Sequence, residues 1–252
     1  MCLIFLSVNN HPKYKVVIAA NRDEFYQRKT APASFWQDQP DILAGRDLEA
    51  GGTWMGISRS GRISLVTNYR DPKNIDPKAP SRGHLVSDFL SGTDAPDSYL
   101  KNLIEKAHQY NGFNLIVGEM DNLRYYSNYD SKIRKLQGGI YGLSNHLLDT
   151  PWPKVEKGKK KFAELIQSPA LEASQLLDMM YDEERASDNY LPDTGIGLER
   201  ERALSSMFIK TPNYGSRSST VLLVDRRGQM EFTERVYDLS TFNHQTRSFQ
   251  IK

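Results

Sequence analysis

Short apolar runs bounded by turn residues occupy both ends of this chain, and stretches with apolar residues three and four apart fill much of the middle. Residues 3–8 and 15–20 are rich in Val, Ile and Leu and are separated by Asn9, Asn10, His11 and Pro12, so they predict an antiparallel hairpin. The same pattern predicts a hairpin over 51–57 and 62–67 about Arg59, Ser60 and Gly61, and another over 114–119 and 123–126 about Met120, Asp121 and Asn122. Residues 31–47 are Pro-rich and read as irregular, with a short strand at 42–44. Near the end, 205–209 reads as a strand, 211–215 as a turn, and 218–224 pairs through Asp225, Arg226, Arg227 and Gly228 with 229–236.

Helical spacing appears in four places. Residues 81–90 start on Ser81 as an N-cap and stop at Ser91 and Gly92, and 97–110 place Leu100, Leu103, Ile104 and Ala107 on one face. Residues 152–167 carry Pro153 in a first turn that tolerates it, while Gly158 weakens that helix by about 1 kcal/mol relative to Ala. Residues 173–181 supply Leu176, Leu177, Met180 and Tyr181 to a core, and the polar stretch 182–202 reads as loop. The order of strands, helices, strands, helices and strands predicts an α+β fold with helices packed on antiparallel sheet. No repeat, low-complexity segment or linker divides the chain, so residues 1–252 are expected to form a single domain.

Composition narrows the functional classes. The chain of 252 residues has 33 Lys and Arg against 31 Asp and Glu, a formal charge of +2, and one dense basic run at Lys157, Lys159, Lys160 and Lys161. No aromatic residues interleave with that run, which therefore reads as a solvated helix face and not as a nucleic-acid surface. No apolar run approaches the roughly 20 residues of a membrane span, and the apolar N-terminal stretch lacks the basic region of a secretory signal, so a cytoplasmic protein without stable membrane insertion is expected. The single cysteine, Cys2, excludes an internal disulfide, and the five histidines have no paired zinc spacing, so no metal is expected.

Cys2 directly follows the initiator Met1. Removal of Met1 would leave a thiol and a free α-amine on one residue, so that Cys2 could supply both nucleophile and base. The alternative reading is a small buried residue opening a strand. The first predicted hairpin returns the chain to Asn21, Arg22, Asp23 and Glu24 at the end of its second strand, beside Cys2. Asp23 or Glu24 could accept hydrogen bonds from the ammonium, Asn68 or Asn145 could donate to an oxyanion, and Arg22 or Arg217 could favour the thiolate or hold an anion.

The motifs Asn21-Arg22-Asp23-Glu24, Gly51-Gly52-Thr53-Trp54, Thr67-Asn68-Tyr69-Arg70, Gly142-Leu143-Ser144-Asn145 and Tyr214-Gly215-Ser216-Arg217-Ser218-Ser219-Thr220 span nearly the whole chain. In this order they resemble the NRDE family, which includes the transport and Golgi organisation protein 2 proteins. That resemblance implies roles in Golgi organisation, haem mobilisation and acyl-lipid or coenzyme A metabolism. The Met-Cys start, hairpin and charged tetrad are also similar to the cysteine N-terminal-nucleophile hydrolases of the penicillin V acylase and bile salt hydrolase type. This second resemblance implies a four-layer αββα sandwich, with two antiparallel sheets between helical layers.

It also implies catalytic roles for Cys2, Asn68, Asn145 and Arg217. The tetrad departs from the hydrolase order: either Arg22 and Asp23 fill the Arg and Asp roles with altered spacing, or Asn21 and Glu24 stand at those positions. On the first assignment, Asn21, Glu24, Trp54 and Tyr69 are candidates for holding substrate. Two functions follow as expectations. One is hydrolysis or acyl transfer on an amide or thioester, with no cofactor required. The other is carriage of haem or an acyl-coenzyme A, with Cys2, His84 or His146 as candidate haem ligands.

Overall fold

The computed structural model describes residues 2–251. In chain order the strands are β1 (Cys2–Val8), β2 (Tyr14–Phe25), β3 (Thr30–Phe35), β4 (Ile42–Asp47), β5 (Met55–Ser58), β6 (Ile63–Asn68), β7 (Phe113–Gly118), β8 (Arg124–Ser127), β9 (Arg134–Lys135), β10 (Gly139–Leu143), β11 (Tyr214–Asp225), β12 (Met230–Tyr237) and β13 (His244–Ile251). The α-helices are α1 (Gly83–Ser91), α2 (Pro96–Lys106), α3 (Pro153–Leu165), α4 (Ala173–Met180) and α5 (Leu198–Ala203). Among the described residues the strands form a six-stranded sheet in the order β10-β1-β2-β11-β12-β13 and a seven-stranded sheet running from β3 to β9. Neighbouring strands pair antiparallel in both.

The chain gathers into two compact units, each built on one sheet. The first comprises residues 2–27, 138–144 and 148–251. All seven residues of β1 are buried, as the continuous apolar run from Cys2 to Leu6 requires of a strand covered on both faces. Leu3 and Phe5 on β1, Val17 and Ala19 on β2, and Val221 and Leu223 on β11 pack with Val155 and Phe162 of α3 and Leu176, Leu177 and Met180 of α4. Gly158 has a packing reason: a Cβ there would lie 2.0 Å from the Phe5 ring. The residue that weakens α3 is the one that lets it approach β1. Helix α4 opens with a reciprocal capping box between Glu172 and Gln175.

The second unit comprises residues 28–137 and 145–147. Helices α1 and α2 pack Leu85, Phe89, Leu100 and Leu103 against Val66, Phe113, Leu115 and Val117 of the seven-stranded sheet. Pro96 occupies the first turn of α2, where its missing N–H is not needed. Among the described residues, no helix is long and apolar enough to cross a membrane.

Several local expectations are corrected. The tetrad from Asn21 to Glu24 lies inside β2, which continues to Phe25, because its buried polar groups find partners within the first unit. Residues 205–209 are not a strand. Their backbone instead serves other groups: Phe208 N donates to Asp182 O, Ile209 N donates to Ser216 Oγ, and Met207 O accepts from Asn21. Residues 30–35 form β3 despite Pro32, which sits on an edge strand beside a register shift between Ala31 and Ser34. Strand β13 has almost no buried residues, so no apolar alternation announced it. The end of the stretch 182–202 runs into α5, Leu198–Ala203. The basic run on α3 keeps its expected solvated face, on which Lys157 and Lys161 pair with Asp182 at 2.7 and 2.5 Å and Lys159 with Asp149 at 2.6 Å.

Candidate functional site

Cys2 stands directly opposite Arg22 on β2, and Arg22 directly opposite Ser218 on β11. Side chains opposite one another in an antiparallel ladder share a face, so thiol, guanidinium and hydroxyl form a row across three strands. The next rows on this face are Ile4, Ala20 and Thr220, then Leu6, Ile18 and Leu222. The polar row thus closes one end of an otherwise largely apolar face, turned away from α3 and α4. All three of its members are buried, Cys2 at 8%, Arg22 at 5% and Ser218 at 4% exposure.

Asn21 and Asp23 alternate to the helix-covered face. Asn21 Nδ2 donates to Met180 O at 2.9 Å and Met207 O at 2.8 Å, and its Oδ1 accepts from Ser219 Oγ at 2.6 Å. Ser219 Oγ also lies 3.0 Å from the Tyr237 hydroxyl. Asp23 Oδ1 accepts from Ser216 Oγ at 2.6 Å, and Ser216 Oγ accepts from Ile209 N at 2.9 Å. A register shift lies between Ser216, opposite Asp23, and Ser218, opposite Arg22. In a regular strand these serines would share a face; the extra residue, Arg217, sends them to opposite faces. Arg217 Nη1 donates to Phe25 O at 2.9 Å and Tyr26 O at 3.3 Å. Glu24 Oε1 accepts from Phe25 N at 2.8 Å.

Burial pushes the Cys2 thiol up, and the Asp23 charge adds to that; Arg22 and a hydrogen bond from the Asp23 main chain pull it down. Burial likewise raises the Asp23 carboxyl, opposed by Lys154, the Ser216 hydrogen bond and Arg22. Lys154 is itself buried at the start of α3 and donates to Leu204 O at 2.9 Å. The cation opposite and the donor beside it favour the thiolate, against the larger upward pull of burial. Ser216, Ser218, Ser219 and Lys154 were not singled out by sequence. The serines lie within the motif from Tyr214 to Thr220, but their division between faces depends on a bulge. Lys154 stands near a basic run and carried no signal of burial.

The remaining predicted residues lie in the second unit. Asn145 Nδ2 donates to Asn68 O at 3.0 Å, and Arg70 N donates to Asn145 O at 2.7 Å. Trp54 immediately precedes β5, and its carbonyl accepts from Val66 N. The Tyr69 ring stacks on Tyr129 at 3.8 Å between centroids, and its hydroxyl lies 2.8 Å from His146 Nε2. Asn114 braces this group, donating to Thr67 Oγ1 and His146 O while accepting from the Tyr125 hydroxyl. His84 Nε2 lies 2.6 Å from Ala50 O.

Two solved structures share the fold. The C2A mutant of a conjugated bile acid hydrolase from Clostridium perfringens is similar over 99% of this chain and 92% of its own, with a TM-score of 0.51 at 7% identity. A Caenorhabditis elegans N-acylethanolamine-hydrolyzing acid amidase ortholog is similar over 88% of this chain and 92% of its own, with a TM-score of 0.52 at 9% identity. The fold is therefore the N-terminal-nucleophile hydrolase type, an α+β arrangement of antiparallel sheets and helices, as the sequence resemblance implied.

The chain belongs to the Transport and Golgi organisation 2 family, whose sequence model matches residues 1–239. The Transport and Golgi organization 2 homolog of Mus musculus is 39% identical, across 100% of this chain and 99% of the relative. The Homo sapiens homolog is 38% identical across the same shares, and the Drosophila melanogaster protein 31% identical across 93% of this chain and 91% of its own.

Proposed function

We propose that this chain is a cysteine-dependent hydrolase or acyltransferase acting on an amide or thioester, with Cys2 as nucleophile after removal of Met1. The observation that carries this reading is the placement of Cys2 directly opposite Arg22 in a buried row of the sheet. The freed α-amine, with an ordinary pKa of about 7.7 to 8.0, takes the thiol proton. The thiolate adds to the carbonyl carbon, forming a C–S bond. Collapse of the tetrahedral intermediate breaks the C–N or C–S bond to the leaving group, which receives the proton from the ammonium. Water, or an acceptor amine or thiol, then adds to the acyl-enzyme and gives its proton to the same amine; collapse releases Cys2.

Arg22 favours the thiolate through its charge. The oxyanion role of Asn68 and Asn145 and the active-site role of Arg217 enter this proposal on the resemblance to the cysteine N-terminal-nucleophile hydrolases. A nucleophile that must stay reduced suits a reducing compartment such as the cytoplasm.

Intact-mass analysis before and after a thiol-reactive probe, paired with turnover of an amide and thioester panel, tests the reading. Loss of Met1, labelling at Cys2 and loss of turnover in Cys2→Ala are expected. Unchanged turnover in that variant eliminates the mechanism. A haem Soret shift that persists in Cys2→Ala and disappears in a His84 or His146 variant, without turnover, would instead mark a carrier.

A further inference from the structure

Three serines of β11 stand in contrasting surroundings. Ser216 and Ser219 are each bonded twice on the helix-covered face. Ser218 is buried at 4% exposure, and among the described residues its Oγ has no hydrogen-bond partner. Leaving a buried hydroxyl unpaired is costly, and alanine would occupy the same place without that cost. The register shift at Arg217 turns this hydroxyl onto the face that carries Cys2 and Arg22. Cys2 and Ser218 flank β2, so their Cα atoms are separated by two strand spacings, about 10 Å.

We propose that Ser218 is a substrate-anchoring hydroxyl of the Cys2 site, and that the substrate carries a hydrogen-bonding atom about three to five bonds from the carbonyl Cys2 attacks. The span sets the number: a carbonyl about 3 Å from the sulfur and a hydrogen bond of about 3 Å to Ser218 leave a short connecting segment. This inference rests on the hydrolase or acyltransferase reading and names its substrate class. A substrate with only methylene groups at that place leaves the hydroxyl unpaired; an ether, carbonyl or amide atom there satisfies it.

Two pairs of thioesters test the proposal, each differing by one oxygen in place of a methylene. Thiophenyl 4-methoxybutanoate against thiophenyl hexanoate places the oxygen on the acyl side, and S-(2-methoxyethyl) thioacetate against S-butyl thioacetate places it on the leaving side. The wild-type protein is expected to favour the ether in one pair by roughly tenfold in kcat/KM, the worth of one hydrogen bond. Ser218→Ala should lose that preference, chiefly through KM, Ser218→Thr should retain it, and the rate of Cys2 alkylation should stay unchanged in both. Absence of discrimination in the wild type, or its survival in Ser218→Ala, overturns the proposal. Turnover of neither pair, or equal turnover in Cys2→Ala, sinks the underlying reading and this inference with it; a wild type that turns over both members equally while depending on Cys2 sinks this inference alone.

Discussion

Cys2 faces Arg22 across the β1–β2 ladder, and the next residue, Asp23, is turned to the opposite face, where Ser216 holds its carboxylate. Adjacent charges of opposite sign therefore act on one buried sulfur from different sides of the sheet. Arg22 lowers the thiol pKa and the Asp23 charge raises it.

The pH profile of Cys2 alkylation by iodoacetamide should separate these two charges. Burial places the wild-type midpoint above that of a free cysteine. Arg22→Gln should move it further up, and Asp23→Asn should move it down, since the substitution removes the charge and leaves the main chain in place. Shifts in the same direction would break the assignment.

Asp23 should also leave a mark on stability. Its carboxyl, raised by burial, binds a proton more tightly in the folded chain than in the unfolded one. That contribution is complete below the unfolded carboxylate range and is lost as pH rises through the folded value. Asp23→Asn keeps an acceptor for Ser216 and has no proton to lose. Its Tm relative to the wild type should climb as pH rises above the ordinary carboxylate range; a constant difference would place Asp23 within that range.

Asn21 joins β2 to the end of α4, to the segment before β11 and to Ser219 of β11 through three buried hydrogen bonds. Asn21→Asp aims a carboxylate at two carbonyl oxygens. It should cost about 3 kcal/mol or more in urea unfolding, the scale expected when buried polar partners are lost and a charge is left opposed. A loss below 1 kcal/mol would mean that the bracing is dispensable.

The three serines should rank differently in thermal unfolding. Ser216→Ala and Ser219→Ala each remove bonds from buried partners and should cost about 1–3 kcal/mol. Ser218→Ala removes no such bond and should leave Tm level or raised. A drop equal to that of Ser219→Ala would make Ser218 a structural residue.

Gly158→Ala tests packing against propensity. Alanine gains about 1 kcal/mol as a helix former, but its Cβ would meet the Phe5 ring at 2.0 Å and Met207 Sδ at 2.7 Å. Overpacking of this kind costs about 1–3 kcal/mol, so the net change in denaturant unfolding should be destabilising.

Local sequence was enough to place the apolar strands around Cys2, the four main helices, the α+β class and the family. Continuous apolar runs and helical spacing are local properties, and the five motifs can be read in order. Tertiary structure decided which face each residue serves. Side chains alternate with a period of two, so one extra residue at Arg217 reverses the relation between Ser216 and Ser218, and only the ladder with β2, nearly 200 residues earlier, reveals that shift. Distant partners likewise made β13 a strand through pairing with β12, and left 205–209 outside any sheet because side chains satisfy its backbone.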